Sequence, residues 1–276
     1  MDDLHARQAA SFGHAATEYA LHRPDYPDQA VAWALASMLN RVPNGAPNVG
    51  PVLDGPVLDG PVLDGPVLDL GAGTGKLTTA ILRCGVATTR VLAVEPDDGM
   101  RAELRRRLPE ITILNGSAEQ IPTEEGAVDA VLVGQAFHWF DLDRALSETA
   151  RVLRPGGVLA AMGNIEDDSV GWVAELIEAA QAARPIGSAR RGFADVPEHP
   201  AFGEPEQRQF SWRWPRTIDS FLATVSTHSW ALVSKPQERV AALAAIRRFL
   251  EQHPVTRHGA FELPMRTLVH RTVRLA

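Results

Sequence analysis

From position 67 the chain reads Val67-Leu68-Asp69-Leu70-Gly71-Ala72-Gly73-Thr74-Gly75-Lys76, an apolar run holding one carboxylate, then three glycines at alternate positions. A strand, a glycine turn and a helix start in that order bring backbone close to a ligand and aim helix amides at an anionic or zwitterionic group. A dinucleotide fingerprint needs Gly-x-Gly-x-x-Gly, but Lys76 stands where its third glycine belongs, which weakens that reading. A phosphate loop would need glycine at Leu70 and a hydroxyl residue at Leu77, so a nucleoside triphosphate is excluded. Glu95 stands 20 residues after Gly75, at the expected end of the next strand, where a carboxylate accepts from both hydroxyls of an unphosphorylated ribose. It could instead cap the following helix, but Asp97 and Asp98 are at hand for that. Asp69 is best explained as the partner of an ammonium group, which a dinucleotide lacks.

The elements that must position these residues follow from the apolar pattern. Strand-like runs at 67–70, 90–95, 111–115, 128–134 and 157–163 alternate with helical patterns at 76–84, 98–107 and 141–153. That is the rhythm of a parallel sheet covered on both faces. Beyond Asn164 a helix is expected over 170–183, an alternating run passes through Phe210, Trp212 and Trp214, helices follow at 218–225 and 237–252, and a last alternating run covers 266–274. The final two strands fit an antiparallel edge pair. Upstream, two helical stretches are divided by Arg23-Pro24-Asp25-Tyr26-Pro27, where two prolines forbid an unbroken helix, and the second runs from Asp28 to about Arg41.

From Pro51 the unit Pro-Val-Leu-Asp-Gly occurs three times, and a fourth copy ends in Leu70. Proline at every fifth position blocks ladder bonding, so the earlier copies are expected to form an extended loop. A slip of five residues would turn every side chain to the opposite face, which makes the copy joined to Gly71 the strand. The expected organisation is a helical cap over 1–45, the repeat loop over 46–66, a binding core over 67–165 and acceptor-site elements with the edge strands over 166–276.

Composition narrows the partners. The 276 residues carry a formal net charge of -7, and their basic residues are dispersed, unlike the footprint of a nucleic-acid binder. No apolar stretch is long enough for a membrane span and residues 1–7 are polar, so a cytoplasmic protein with no membrane partner is expected. A single cysteine, Cys84, rules out an intrachain disulfide or a cysteine-rich zinc site; it reads as a small apolar side chain near a helix end, and no metal is expected. Arg105-Arg106-Arg107 reads as a solvated helix end whose cations complement the dipole.

Four segments in order, Asp69 to Gly75, Glu95-Pro96 with Met100, Gly116-Ser117-Ala118-Glu119-Gln120-Ile121-Pro122 and Val152-Leu153-Arg154-Pro155-Gly156-Gly157, resemble the class I S-adenosylmethionine-dependent methyltransferases. Phe12, Tyr19 and residues 23–27, with Gln135-Ala136-Phe137-His138-Trp139-Phe140-Asp141, are similar to the small-molecule branch that includes trans-aconitate methyltransferase-like proteins. The resemblance implies a Rossmann-like fold: a mostly parallel seven-stranded sheet with helices on both faces and an antiparallel edge strand. It also implies S-adenosylmethionine as cofactor, with Asp69 on its ammonium. Gly71, Ala72, Gly73 and Gly75 would lie under the methionine moiety, Glu95 on the ribose, Pro96 and Met100 beside the adenine, and Ser117, Ala118 and Glu119 at the adenine edge. Many relatives have aspartate at the position of Ser117, so Ala118 and Glu119 backbone groups are expected to read the base.

Gln135 would lie near the sulfonium, with His138 and Trp139 in the loop facing a small-molecule acceptor. Methyl transfer is an in-line displacement from an activated donor, so alignment and water exclusion carry most of it. An ionised carboxylate acceptor needs no base; for a hydroxyl or amine, His138 either takes the proton or merely packs beside Trp139. Tyr19, Arg23 and Tyr26 either form a lid, with Arg23 pairing a carboxylate of cofactor or acceptor, or pin the N-terminal helix. Trp212, Trp214 and Trp230 are read as core before acceptor pocket. Two other functions stay open: a nicotinamide-dependent oxidoreductase, and a binding module without turnover. Acceptor identity and oligomeric state are not encoded legibly.

Overall fold

The computed structural model describes residues 13–39, 65–184 and 196–276. Phe12, Arg41 and residues 46–64 of the expected repeat loop lie outside them.

Strand β1 (Val67–Leu70) is buried along its whole length, as a central parallel strand must be. The fourth repeat copy is therefore the strand, as expected. Its register is held by the turn that follows, where the Gly71 and Ala72 amides donate to the Val94 carbonyl at 2.8 and 3.0 Å. Around it lie β2 (Val91–Val94), β3 (Thr112–Leu114), β4 (Val128–Gly134), β5 (Leu153–Glu166), β6 (Glu206–Thr217) and β7 (Ala260–Val273), in the order β3-β2-β1-β4-β5-β7-β6. The first five strands run parallel, and β7 pairs antiparallel with both β5 and β6. This is the Rossmann-like class I methyltransferase fold.

Helices α1 (Ala16–His22) and α2 (Asp28–Leu39) precede the sheet, and α3 (Lys76–Arg83), α4 (Asp98–Arg107) and α5 (Leu142–Val152) connect its parallel strands. Alternation along β1 sends Val67 towards α2 and α3 and sends Leu68 and Leu70 into the opposite core with Leu146 and Ala150 of α5. A third core joins α6 (Gly171–Ala182), α7 (Ile218–Ser226), α8 (Ser229–Val233) and α9 (Pro236–Gln252) to β6 and β7. Trp230 is part of that core, whereas Trp212 and Trp214 form a half-buried stripe along β6.

Two strands exceed their sequence pattern. β5 continues to Glu166 because β7 supplies partners from Val273 back to Met265, and β7 starts at Ala260 because β6 pairs with it from that residue on. α8 has five residues, too few for a periodic signal. Cys84 closes α3, and burial pushes its thiol up to about 12, in keeping with a packing role. No helix of the described residues is long and apolar enough to cross a membrane, and no group of three potential metal ligands occurs among them.

Candidate active site

The glycine turn after β1 is left-handed at Gly71, Gly73 and Gly75, with φ of 71, 55 and 84°. The three glycines differ in what surrounds them. A Cβ at Gly75 would stand 2.3 Å from Leu104 Cδ1 of α4, whereas one at Gly73 would meet nothing within 4 Å. Gly75 therefore serves packing, and Gly73 opens onto free space. Gly75→Ala is expected to cost about 3 kcal/mol, from left-handed strain of about 1–2 and overpacking of about 1–3. A thermal melt should show a midpoint about 5–10 °C lower. Gly73→Ala should melt within a few degrees of the parent while losing ligand affinity tenfold or more by calorimetry; equal melting losses for both would refute the division.

Beneath the turn, Asp69 is completely buried. Its Oδ2 accepts from Thr78 Oγ1 at 2.6 Å, and its Oδ1 has no donor. Burial pushes its carboxyl up to about 7, against the opposing hydrogen bonds from Thr78, and the nearby Glu95 charge adds to the rise. Thr74 Oγ1 in the turn is also buried without a partner. These two atoms mark a place prepared for a group that the chain does not supply, since buried polar atoms are otherwise almost always bonded.

Glu95 leaves β2 with both oxygens engaged by backbone: the Gly73 amide donates to Oε2 at 2.8 Å and the Asp97 amide to Oε1 at 2.9 Å. The carboxylate is thus fixed beside the glycine turn with lone pairs to spare. Burial holds its pKa above the ordinary glutamate value. The helix cap belongs to Asp97, whose Oδ1 accepts from the Met100 amide at 2.8 Å. Pro96 lies between Glu95 and this cap, and Met100 is buried in the first turn of α4.

Arg101, unnoticed in the sequence, braces this edge: its Nη1 donates to the Glu95 carbonyl at 2.7 Å and to Asn115 Oδ1 at 2.9 Å. Arg107 corrects the reading of a wholly solvated arginine run. Arg105 and Arg106 are exposed, but Arg107 reaches back and donates to the Thr74 carbonyl at 3.0 Å. Residues three apart on a helix share a face, so the last of the three could turn inward where the others did not.

Ser117 and Gln120 close a tight turn by exchanging backbone bonds of 3.3 and 3.2 Å, with Ala118 buried inside it. The Glu119 side chain points elsewhere, accepting from the Asp141 amide at 2.9 Å, so this turn is tied to the loop after β4. In that loop Gln135 adopts φ 55°, the one positive value among described non-glycine residues. Its Nε2 donates to the Asn164 carbonyl at 2.8 Å. A short 3-10 turn, Phe137–Trp139, follows, and the His138 and Trp139 rings lie 4.6 Å apart.

The segment 23–27 is held from several sides. Asn164 Nδ2 donates to the Asp25 carbonyl at 3.1 Å, Lys76 pairs with Asp25 at 3.0 Å, and Arg83 donates to the Tyr26 carbonyl at 2.9 Å. Tyr26 is buried with its hydroxyl packed against Gly134, where a Cβ would stand 2.7 Å from it. Of the two roles open to it, pinning is the one its position fits. Tyr19 lies under the Arg23 guanidinium, 4.9 Å from ring centre to Cζ.

Residues 68–161 match a family model described as a methyltransferase domain. An uncharacterized methyltransferase of Mycobacterium tuberculosis is 37% identical over 244 residues, 88% of this chain and 87% of the relative. One from Schizosaccharomyces pombe is 34% identical over 193 residues, 70% of this chain and 67% of its own. The malonyl-[acyl-carrier protein] O-methyltransferase of Methylococcus capsulatus is 42% identical over 96 residues, 33% of this chain and 34% of that protein. Among solved structures, one from Anaeromyxobacter dehalogenans assigned to the type II methyltransferases is 25% identical, with a TM-score of 0.63 over 91% of this chain and 97% of its own. Identity sustained across most of both chains, on a sheet of this order, shows that the protein belongs to the class I S-adenosylmethionine-dependent methyltransferases.

Proposed function

We propose that the protein methylates a small-molecule acceptor at oxygen, either a carboxylate or a hydroxyl. The observation that carries the donor assignment is the unpaired Asp69 Oδ1 under the glycine turn, a buried anionic oxygen suited to an ammonium. Around it Gly71, Ala72, Gly73 and Gly75 would cradle the methionine moiety, Glu95 the ribose, and Pro96, Met100 and the turn at Ser117, Ala118 and Glu119 the adenine. S-adenosylmethionine supplies an electrophilic methyl group on a sulfonium, so the chain's own task is to align the acceptor and exclude water.

Gln135 presents the reaction loop, and Tyr19, Arg23 and Trp139 face the acceptor. His138 takes the proton if the acceptor is a hydroxyl and stays a bystander if it is an ionised carboxylate. A small acceptor accords with the net charge of -7, and one relative over a third of the chain is named as an O-methyltransferase. Membership of the methyltransferases displaces the nicotinamide alternative, which the glycine spacing already disfavoured.

The test is calorimetric titration with S-adenosylmethionine, S-adenosylhomocysteine and NADH, followed by a screen of acids and alcohols for methyl transfer. Binding of the first two with turnover on an acid or alcohol is expected; preference for NADH, or binding without transfer to any acceptor, would overturn the reading. His138→Ala should lower kcat by about 10²-fold or more on a hydroxyl acceptor and leave a carboxylate acceptor nearly unaffected.

A further inference from the structure

One residue grips both the segment 23–27 and the loop after β4. Asn164 stands near the end of β5, 7% exposed, directly opposite Thr267 of β7 in the antiparallel ladder. Its Nδ2 donates to the Asp25 carbonyl at 3.1 Å, its Oδ1 accepts from Thr267 Oγ1 at 2.6 Å, and its backbone carbonyl accepts from Gln135 Nε2 at 2.8 Å. The side chain thus holds the segment, and the main chain holds the loop.

Both held parts adjoin the glycine turn. Asp25 pairs with Lys76, the residue after Gly75, at 3.0 Å, and a Cβ at Gly71 would stand 2.7 Å from Ala136 Cβ, the residue after Gln135. The two parts also meet each other, because a Cβ at Gly134 would stand 2.7 Å from the Tyr26 hydroxyl. Gln135 itself sits at φ 55°, a conformation that costs a non-glycine residue free energy and persists only where neighbours hold it. Its bond to Asn164 is such a hold.

The direction of the amide is fixed from both ends. A carbonyl only accepts, so the NH2 group faces Asp25 and the amide oxygen faces Thr267, whose hydroxyl must give its proton there. The Thr267 oxygen is then free to accept, and the Trp212 indole N–H, which only donates, meets it at 3.0 Å. Every link in this line of bonds has one polarity.

We propose that Asn164 is a positioning residue for methyl transfer: it fixes the segment 23–27 and the Gln135 loop relative to one another, and through them the walls of the cofactor pocket. It acts without touching the reacting atoms. The proposal rests on the reading of the glycine turn and its surroundings as that pocket.

Asn164→Asp keeps the shape and the acceptor that faces Thr267, but sets an oxygen against the Asp25 carbonyl. Calorimetric titration of the full chain at pH 8 should show S-adenosylhomocysteine bound at least tenfold more weakly than by the parent, since two acceptors then face one another in a buried place. A buried carboxyl takes up its proton above the ordinary range, and the protonated form regains an O–H donor. The ratio of variant to parent affinity should therefore recover at least threefold by about pH 6. Thr267→Val, which removes the hydroxyl at nearly equal size, should weaken binding about threefold at both pH values. In the ligand-free chains the Ala30 and Val31 amides, which donate to the Pro27 carbonyl, should exchange hydrogen at least threefold faster in both variants than in the parent. Variants that bind as the parent does, even with a lower melting midpoint, would make the network structural only and overturn the proposal. So would a loss in Asn164→Asp that is the same at both pH values. If Asn164→Asp does not fold, Thr267→Val decides alone. A parent that fails to bind S-adenosylhomocysteine would instead refute the pocket reading, and the positioning role with it, while faster exchange in the variants would still show the grip on the segment.

Discussion

Glu95→Ala is expected to weaken S-adenosylhomocysteine binding about 100-fold, read by calorimetry at pH 8. On the proposed donor site, two charge-assisted bonds to the ribose hydroxyls would be lost, each worth about 1.5–3 kcal/mol, and discounting for water that fills the gap still leaves about two decades. The substitution has a second effect. Glu95 is what the Gly73 and Asp97 amides donate to, so alanine leaves both without their acceptor and loosens the glycine turn. Glu95→Gln separates the two: its amide oxygen can keep one backbone bond and one ribose bond, and it should bind about 10-fold better than the alanine variant. Equal losses would mean that the carboxylate acts through the turn rather than on the ligand. An unchanged affinity for both would remove Glu95 from the site altogether.

What could be read from the sequence follows the range over which each interaction acts. β1, α4 and β4 lie at their expected bounds because four, ten and seven consecutive residues carry their own pattern and turn signals. The antiparallel end of the sheet was foreseen as a pairing of strands but underestimated in length, since β5 continues from Asn164 to Glu166 only where a distant β7 lies alongside. At the site, Asp69 and Glu95 stood out because a carboxylate next to a glycine turn, or at a strand end, is locally unusual. The side chains that hold them did not.

Thr78 is one of two adjacent hydroxyls in α3, and Arg101 resembles its exposed neighbours until β2 and β3 are beside it. Asn164 shows the limit most plainly. Its Oδ1 accepts from Thr267 Oγ1 at 2.6 Å, and Thr267 in turn accepts from Trp212 Nε1 at 3.0 Å. A line of bonds thus runs from the edge strand to the loop carrying Gln135 and to the segment carrying Arg23, across more than 100 positions of sequence. No spacing rule reaches that far.

Asp69→Asn should make the ligand-free protein more stable and nearly abolish donor binding. At pH 8 the parent keeps an ionised carboxylate in the core, and a carboxyl raised from 3.8 to about 7 costs the fold on the order of 4 kcal/mol. The sign follows from proton binding. The folded state holds this proton more tightly than the unfolded chain, so the contribution favours folding least above pH 7 and is lost progressively as pH rises from about 4 to about 7.

Asparagine removes that loss but brings an NH2 group with few acceptors, so a net gain of about 1–2 kcal/mol, or roughly 2–6 °C in the melting midpoint, is expected at pH 8. The same change removes the partner proposed for the ligand's ammonium, and truncating one side of a buried charge pair costs about 2–5 kcal/mol, thirtyfold or more in affinity. In the parent, S-adenosylhomocysteine affinity should climb up to tenfold per pH unit below about 7, where binding must expel the Asp69 proton, and flatten above it. The asparagine variant should show no such climb. A variant that melts later yet binds as the parent does would place the ammonium elsewhere; one that melts earlier would mean that the Asp69 charge is already compensated within the chain.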